Sequence, residues 1–323
     1  MGATGYIGKF VTRELVARGY EVVSFARERS GINASDTEEK TRQGLKGSEV
    51  RFGDVCDLAS LARSGIRGEK FDVVVSCLTS RSGGIQDSWN IDYKATRNAL
   101  DAGKAAGASQ FVLLSAICVQ KPMLEFQRAK LKFEKELIES GLTWSIVRPT
   151  AFFKSIAGQV EAVKNGKPYK MFGNGELTAC KPISEADLAR FIADCIEDPA
   201  KQNKILPIGG PGKAVTNLDQ ARMLFELLGR EPKLTKVPIQ IFDVIIPLLT
   251  LLSRLFPKFK DKAELARIGK YYSSESMLVL NPATGKYDAD ATPSYGNDTL
   301  RDFYKRVLSE GLAGQELGAH SLF

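Results

Sequence analysis

The chain is almost without histidine: His320, near the C-terminus, is the only one in 323 residues. Counting alone therefore excludes a histidine-based metal cage or a Ser-His-Asp triad. The five cysteines, Cys56, Cys77, Cys118, Cys180 and Cys195, stand singly, without the paired spacing of a zinc site, so no metal is expected. Their odd number and apolar settings predict reduced thiols in a reducing compartment, with Cys77, Cys118 and Cys195 as inert core residues. No run of ~20 uncharged apolar residues, no secretory leader, no internal repeat and no low-complexity linker is visible. The net charge of +7 comes without any dense basic block. Nucleic acid therefore ranks last among partners, behind an anionic membrane surface or an acidic small substrate.

What is present is the rhythm of a doubly wound α/β domain. Strand-like runs at residues 21–26, 71–78, 110–115 and 143–148 are separated by helical patterns at 91–106 and 125–140. Short apolar runs alternating with amphipathic helices predict βαβ units and a parallel sheet. After Pro149 the rhythm loosens. Ser184 with Asp187, and Thr216 with Asp219, read as helix starts, and residues 299–308 as a last amphipathic helix. The expected organisation is a Rossmann-like domain over 1–150 and a smaller, mostly helical substrate lobe over 151–323, packed on it and not independent.

Gly2, Gly5 and Gly8 open the chain in a Gly-x-x-Gly-x-x-Gly spacing, with Ile7, Phe10, Val11 and Leu15 on one face of the helix that follows. Such glycines let the backbone approach a pyrophosphate at a helix N-terminus. The strand that should precede Gly2 is missing, which predicts that the natural protein starts further upstream. The run 21–26 ends in Arg27-Glu28-Arg29, where an NAD-dependent enzyme usually carries an acidic residue. Guanidinium groups match a 2′-phosphate, so NADPH is the expected cofactor, held also by Thr4, Tyr6 and Ile7 of the glycine loop. Solvated loop arginines are the bland alternative.

Residues 53–55, with Asp54 and Val55, resemble the adenine-side loop of short-chain dehydrogenases. Cys77 and Leu78 end a strand where that family's backbone lines the cofactor, Ser115 matches its catalytic serine, and Arg148-Pro149 the segment passing the nicotinamide. The Tyr-x-x-x-Lys pair of that family becomes Phe126-Gln127-Arg128-Ala129-Lys130 here. Lys130 is in place, but a phenyl ring donates no proton, which argues against ordinary ketone chemistry. Either a carbon–carbon double bond is reduced, or NADPH is bound without turnover.

Longer strings narrow the resemblance: residues 76–84, 87–89, 91–93, 114–122, 126–134, 148–155, 171–188, 206–212 and 311–318. Together they resemble the plant and algal divinyl chlorophyllide 8-vinyl reductase family, essentially end to end. That resemblance implies NADPH-dependent reduction of the 8-vinyl group of divinyl chlorophyllide a, or of related Mg-tetrapyrroles, to ethyl in the chloroplast. Lys130 would orient the nicotinamide ribose, while Tyr93, Tyr169, Cys180 or water could supply the proton. Phe152, Phe153, Met171 and Phe172 would line an apolar pocket, with Lys154, Lys170 and Lys181 on its rim; core packing and solvated lysines are the equal alternative. A non-catalytic NmrA-like NADPH binder and a phenylpropanoid double-bond reductase are the rival functions. The apolar segment 237–256, followed by Lys258, Lys260 and Lys262, has two readings. One is a buried lobe helix broken at Pro247, which is preferred; the other is a helix lying on an anionic membrane, giving peripheral association.

Overall fold

The computed structural model describes residues 1–30 and 35–311; the remainder of the 311–318 string and His320 lie outside the described residues. The strands of four or more residues are β1 (Val23–Ala26), β2 (Glu49–Phe52), β3 (Val73–Ser76), β4 (Gln110–Leu114), β5 (Thr143–Pro149), β6 (Tyr169–Phe172), β7 (Lys204–Ile208) and β8 (Leu234–Val237). β3, β4, β5 and β7 form a parallel sheet in that order; β1–β2 and β6–β8 are separate parallel pairs. The start of the chain joins the first two pieces. The Met1 amine donates to the Val75 carbonyl at 2.8 Å, the Cys77 N–H donates to the Met1 carbonyl at 3.0 Å, and Ala3 packs with Ala26 and Val50.

The helices are α1 (Tyr6–Ala17), α2 (Thr96–Ala105), α3 (Glu125–Ile138), α4 (Glu185–Glu197), α5 (Asn217–Leu227), α6 (Ile241–Leu255), α7 (Phe259–Ser274) and α8 (Leu300–Glu310). The expected helix over 91–106 begins earlier, with π-helical turns over Ser88–Ala95 that run directly into α2.

Strand alternation divides the core into two layers. Val112 and Leu114 of β4 face α1 and α4, packing with Ile7, Val11, Leu188 and Ile192. Phe111 and Leu113 face the other side, packing with Ala99, Leu100, Phe133 and Leu137 of α2 and α3. Helices on both faces make this the expected Rossmann-like, doubly wound α/β fold. The second half returns to that sheet twice, through α4 against α1 and through β7 against β5. Beyond them, Phe153, Tyr169, Met171, Leu224, Phe225, Phe303 and Tyr304 form a further core under α5 and α8. Both expected N-caps form: Ser184 accepts from the Asp187 N–H at 3.0 Å, and Thr216 with Asp219 makes a reciprocal capping box.

The preferred reading of residues 237–256 is overturned. α6 runs unbroken through Pro247, and among its residues only Phe242 is buried. The helix packs on α7 along one side alone, so the rest of its apolar surface meets solvent. Pro247 lies on that exposed side, where water can take the carbonyl that proline leaves without a donor. No helix among the described residues is long and apolar enough to cross a membrane.

Phe133, 1% exposed, packs its ring 5.7 Å from that of Phe111 and fastens α3 to the sheet. Phe133→Ala is expected to cost about 3–5 kcal/mol through the cavity it leaves. Urea unfolding followed by circular dichroism checks this; a loss under about 1 kcal/mol would mean that α3 is held by its polar ties alone.

Candidate active site

The glycine loop is drawn tightly over the end of β3. Gly2 has φ +76°, and a Cβ there would lie 2.7 Å from the Cys77 carbonyl carbon and oxygen; a Cβ on Gly8 would lie 2.0 Å from the Gly2 oxygen. The Gly5 N–H closes the turn on the Gly2 carbonyl at 3.0 Å, and no side chain caps α1. Its first-turn N–H groups are left for an anion. At the end of β3, Ser76 Oγ is buried and has no hydrogen-bond partner among the described residues. A backbone cradle, an uncapped helix start and an unsatisfied hydroxyl at one sheet end fit a bound dinucleotide.

The other expected cofactor contacts differ in what they can offer. Ile7 points into the core, and the Cys77 thiol is buried, which pushes its pKa up to about 11. Asp54 is exposed; it accepts from the Cys56 N–H at 2.9 Å, while the Val55 carbonyl accepts from Asn98 at 2.9 Å. Tyr6 donates to Glu185, and the Lys154 ammonium sits 4.3 Å from the Tyr6 ring centroid, so the glycine loop is tied to the N-terminus of α4.

Arg27 and Arg29 are both exposed at the end of β1. The sequence did not single out Arg81, yet the fold brings it toward Arg27. Its guanidinium is held below the usual arginine range by burial and then by the like charge of Arg27, against the opposing Asp87 and Asp36. Two guanidinium groups within electrostatic reach of each other suit a dianion.

α3 carries the second group of candidate residues. Phe126, Lys130 and Glu134 repeat every four residues and share one face. Gln127 secures the start of the helix by accepting from the Met123 and Leu124 N–H groups at 2.7 and 2.9 Å and donating to the Cys118 carbonyl at 3.1 Å. Lys130 pairs with Asp92 at 2.9 Å, and both are buried. Asp92 also accepts from Thr79 Oγ1 at 3.0 Å and the Ser80 N–H at 3.3 Å, so one carboxylate joins the lysine to the loop after β3. A turn further on, Ser115 donates to Glu134 at 2.5 Å, and Arg148 pairs with the same carboxylate. Asp92 and Glu134 were missed as site residues because nothing local marks a carboxylate whose partner lies on another element.

Phe126 lies among Ile117, Cys118, Cys180, Tyr271 and Met277, an apolar cluster roofed by α7. Of the proton sources considered, Cys180 belongs to this cluster, with burial pushing its thiol up to about 12. Tyr93 donates to Glu136 at 2.8 Å, and Tyr169 is buried in the second core. The expected pocket wall contracts. Phe153 and Met171, each 2% exposed, are committed to the second core because it is closed on all sides around them. Half-buried Phe152 and Phe172 remain, the latter 5.4 Å from the ring of Phe242 on α6. Lys181 donates to the Thr292 carbonyl at 2.9 Å, and Lys170 is exposed.

Comparison with known proteins places these features. Residues 2–199 match the NAD(P)H-binding family. The chain is similar to the chloroplastic divinyl chlorophyllide a 8-vinyl-reductase of Cucumis sativus, with 62% identity over 329 residues, spanning 100% of this chain and 78% of that protein. The Arabidopsis thaliana protein of the same name is 59% identical, spanning 98% and 78%. Among solved structures, the NADPH-dependent quinone oxidoreductase QOR2 of Escherichia coli, complexed with NADPH, has a TM-score of 0.66 at 18% identity, covering 95% of this chain and 98% of that one, a likeness of fold.

Burial first, and then the like charge of Asp298, hold the Glu185 carboxyl above its ordinary pKa of 4.5, against the Glu185 and Lys154 backbone N–H groups and Arg306. A carboxyl with a raised folded-state pKa binds its proton more tightly when folded, so stability falls as pH rises from 4.5 through the folded value. Glu185→Gln is expected to flatten that part of the profile and to raise the Tm at neutral pH. Thermal melts on both sides of the window check it; an unchanged pH slope would show that another group sets it.

Proposed function

Because the chain belongs to the NAD(P)H-binding family and, within it, to the divinyl chlorophyllide a 8-vinyl-reductases, we propose that the site between the glycine loop and α3 is where the vinyl group is reduced, with NADPH as the preferred nucleotide. The activity is reduction of the 8-vinyl group of divinyl chlorophyllide a to ethyl at the expense of a nicotinamide cofactor, in the chloroplast. Related divinyl Mg-porphyrins fall within the same proposal. The two rival functions, a non-catalytic NADPH binder and a phenylpropanoid reductase, give way to this family membership.

The observation that carries the site assignment is the buried Lys130–Asp92 pair, one turn from a phenylalanine that stands where a proton-donating tyrosine would serve a carbonyl substrate. When bound, the dinucleotide supplies the hydride; the chain's residues bind, orient and exclude water. Gly2, Gly5 and Gly8 bring the backbone to the pyrophosphate, and Arg27 with Arg81 takes the 2′-phosphate. Asp92 holds the Lys130 ammonium against the loop of Thr79 and Ser80, where it can donate to a ribose hydroxyl. Hydride addition to a conjugated vinyl carbon leaves negative charge spread over the macrocycle until a proton from water completes the ethyl group, so no oxyanion donor is required of the protein. Phe126 and its neighbours then serve by keeping that surface apolar. Phe152 and Phe172 offer wall area to the flat pigment.

Mixing the protein with divinyl chlorophyllide a and NADPH is expected to shift the Soret band to the blue; a protein that binds NADPH without that shift would sink the proposal. Lys130→Ala is expected to raise the KM for NADPH and to lower kcat in a folded protein. Replacing Arg27 and Arg81 by Ala should weaken NADPH by roughly 1.5–3 kcal/mol while sparing NADH. Equal losses for both nucleotides in a binding titration would remove the arginines from the phosphate site.

A further inference from the structure

α6 has two faces with opposite fates. Its inner side is settled by contacts: Phe242 meets Phe172, Thr250 accepts from Arg267 at 2.9 Å, and Asp243 pairs with Lys270 at 2.7 Å. Its outer side carries Val244, Ile245, Leu248, Leu251 and Leu255 at steps of one, three and four residues, with Ile241 before them and Phe256 after. Val244 is 70% exposed, Leu251 58% and Leu255 74%. Large apolar side chains left in water along a whole helix mark an interaction surface rather than the scattered exposure of an ordinary monomer.

The exposed charges beside the stripe are mostly basic: Arg254 within it and Lys258, Lys260 and Lys262 after it. The two acidic residues of the segment, both exposed, each have a partner: Asp243 pairs with Lys270, and Asp261 accepts from the Ile85 N–H at 3.2 Å. We propose that the outer face of α6, with the basic turn leading into α7, docks the protein on an anionic lipid surface. The helix would lie flat in the headgroup layer, its apolar stripe inserted and its cations against lipid phosphates. A basic rim beside an apolar stripe complements lipid headgroups directly.

The position gives the docking a consequence. α7, which α6 covers, also roofs the site: Tyr271 donates to the Cys118 carbonyl at 2.8 Å and Glu264 accepts from the Glu125 N–H at 2.9 Å. A face inserted in lipid would hold that roof at the membrane, where a flat apolar pigment partitions. This consequence rests on the proposed function; the docking itself does not.

The test is co-sedimentation of the full chain with vesicles of phosphatidylcholine, alone or mixed with phosphatidylglycerol. The protein is expected to pellet with the mixed vesicles and to be released by salt. Leu248→Gln with Leu251→Gln, or Val244→Gln with Leu255→Gln should one pair fail to fold, is expected to weaken binding at least about tenfold. Replacing Lys258, Lys260 and Lys262 by Gln should weaken binding to the anionic vesicles about tenfold or more, with little change on phosphatidylcholine. NADPH binding, read by fluorescence, is the check that each variant is folded and is independent of turnover. A folded protein that stays in the supernatant, or pelleting unaffected by the stripe substitutions, would overturn the proposal. So would a dimer on sizing that the stripe substitutions convert to monomer without any vesicle binding, which would make a second copy the occupant.

Discussion

A lysine buried between a sheet end and a helix has to keep a counter-charge beside it, and much of the first half is arranged around that requirement. An ammonium or a carboxylate left alone in such a setting costs several kcal/mol, so removing either partner of the Lys130–Asp92 pair is far worse than never having built it. Asp92 reaches the position from the π-helical turns before α2, and Lys130 from α3. Because Asp92 also accepts from Thr79 and Ser80, the pair fixes the loop after β3 relative to α3. Glu134 repeats the device one turn later with Arg148 and Ser115, tying α3 to the ends of β4 and β5. Two buried carboxylates thus set the edges of the surface on which we propose that cofactor and substrate meet.

Between those polar anchors the site is apolar, and the chemistry accounts for it. A carbonyl becomes an alkoxide on reduction and needs a donor at a defined point; a vinyl group conjugated with a macrocycle spreads its charge instead. In the proposed reaction phenylalanine at position 126 is no handicap, and its ring adds to the apolar cluster beneath α7. The same cluster holds Cys180 as a neutral thiol, since burial penalises its thiolate.

The second half serves the first by covering it. α4 and β7 complete the sheet domain, α5 and α8 close a second core, and α7, flanked by α6, lies over the cluster around Phe126. Tyr6 on Glu185 and Lys154 on the Tyr6 ring link the glycine loop to this cover, so cofactor loop and lobe share one network. The cost is a carboxyl kept in an unfavourable setting at neutral pH.

Local pattern was enough for the turn at the glycine loop, for β1, β3, β4 and β5, for α1 and α3, and for the caps at Ser184 and Thr216. Spacing, propensity and capping act within a few residues, and each of these features is built from neighbours in the chain. What escaped is non-local. Asp92 has no visible partner until α3 folds back on it, Arg81 feels the charge of Arg27 from a loop far along the chain, and β7 joins the sheet from further still. α6 shows the limit most clearly: a helix apolar on nearly every side reads as buried, because hydrophobicity states a preference for leaving water. Only the tertiary structure, which among the described residues offers α6 the flank of α7 on one side and leaves the other side exposed, decided which of its residues could do so.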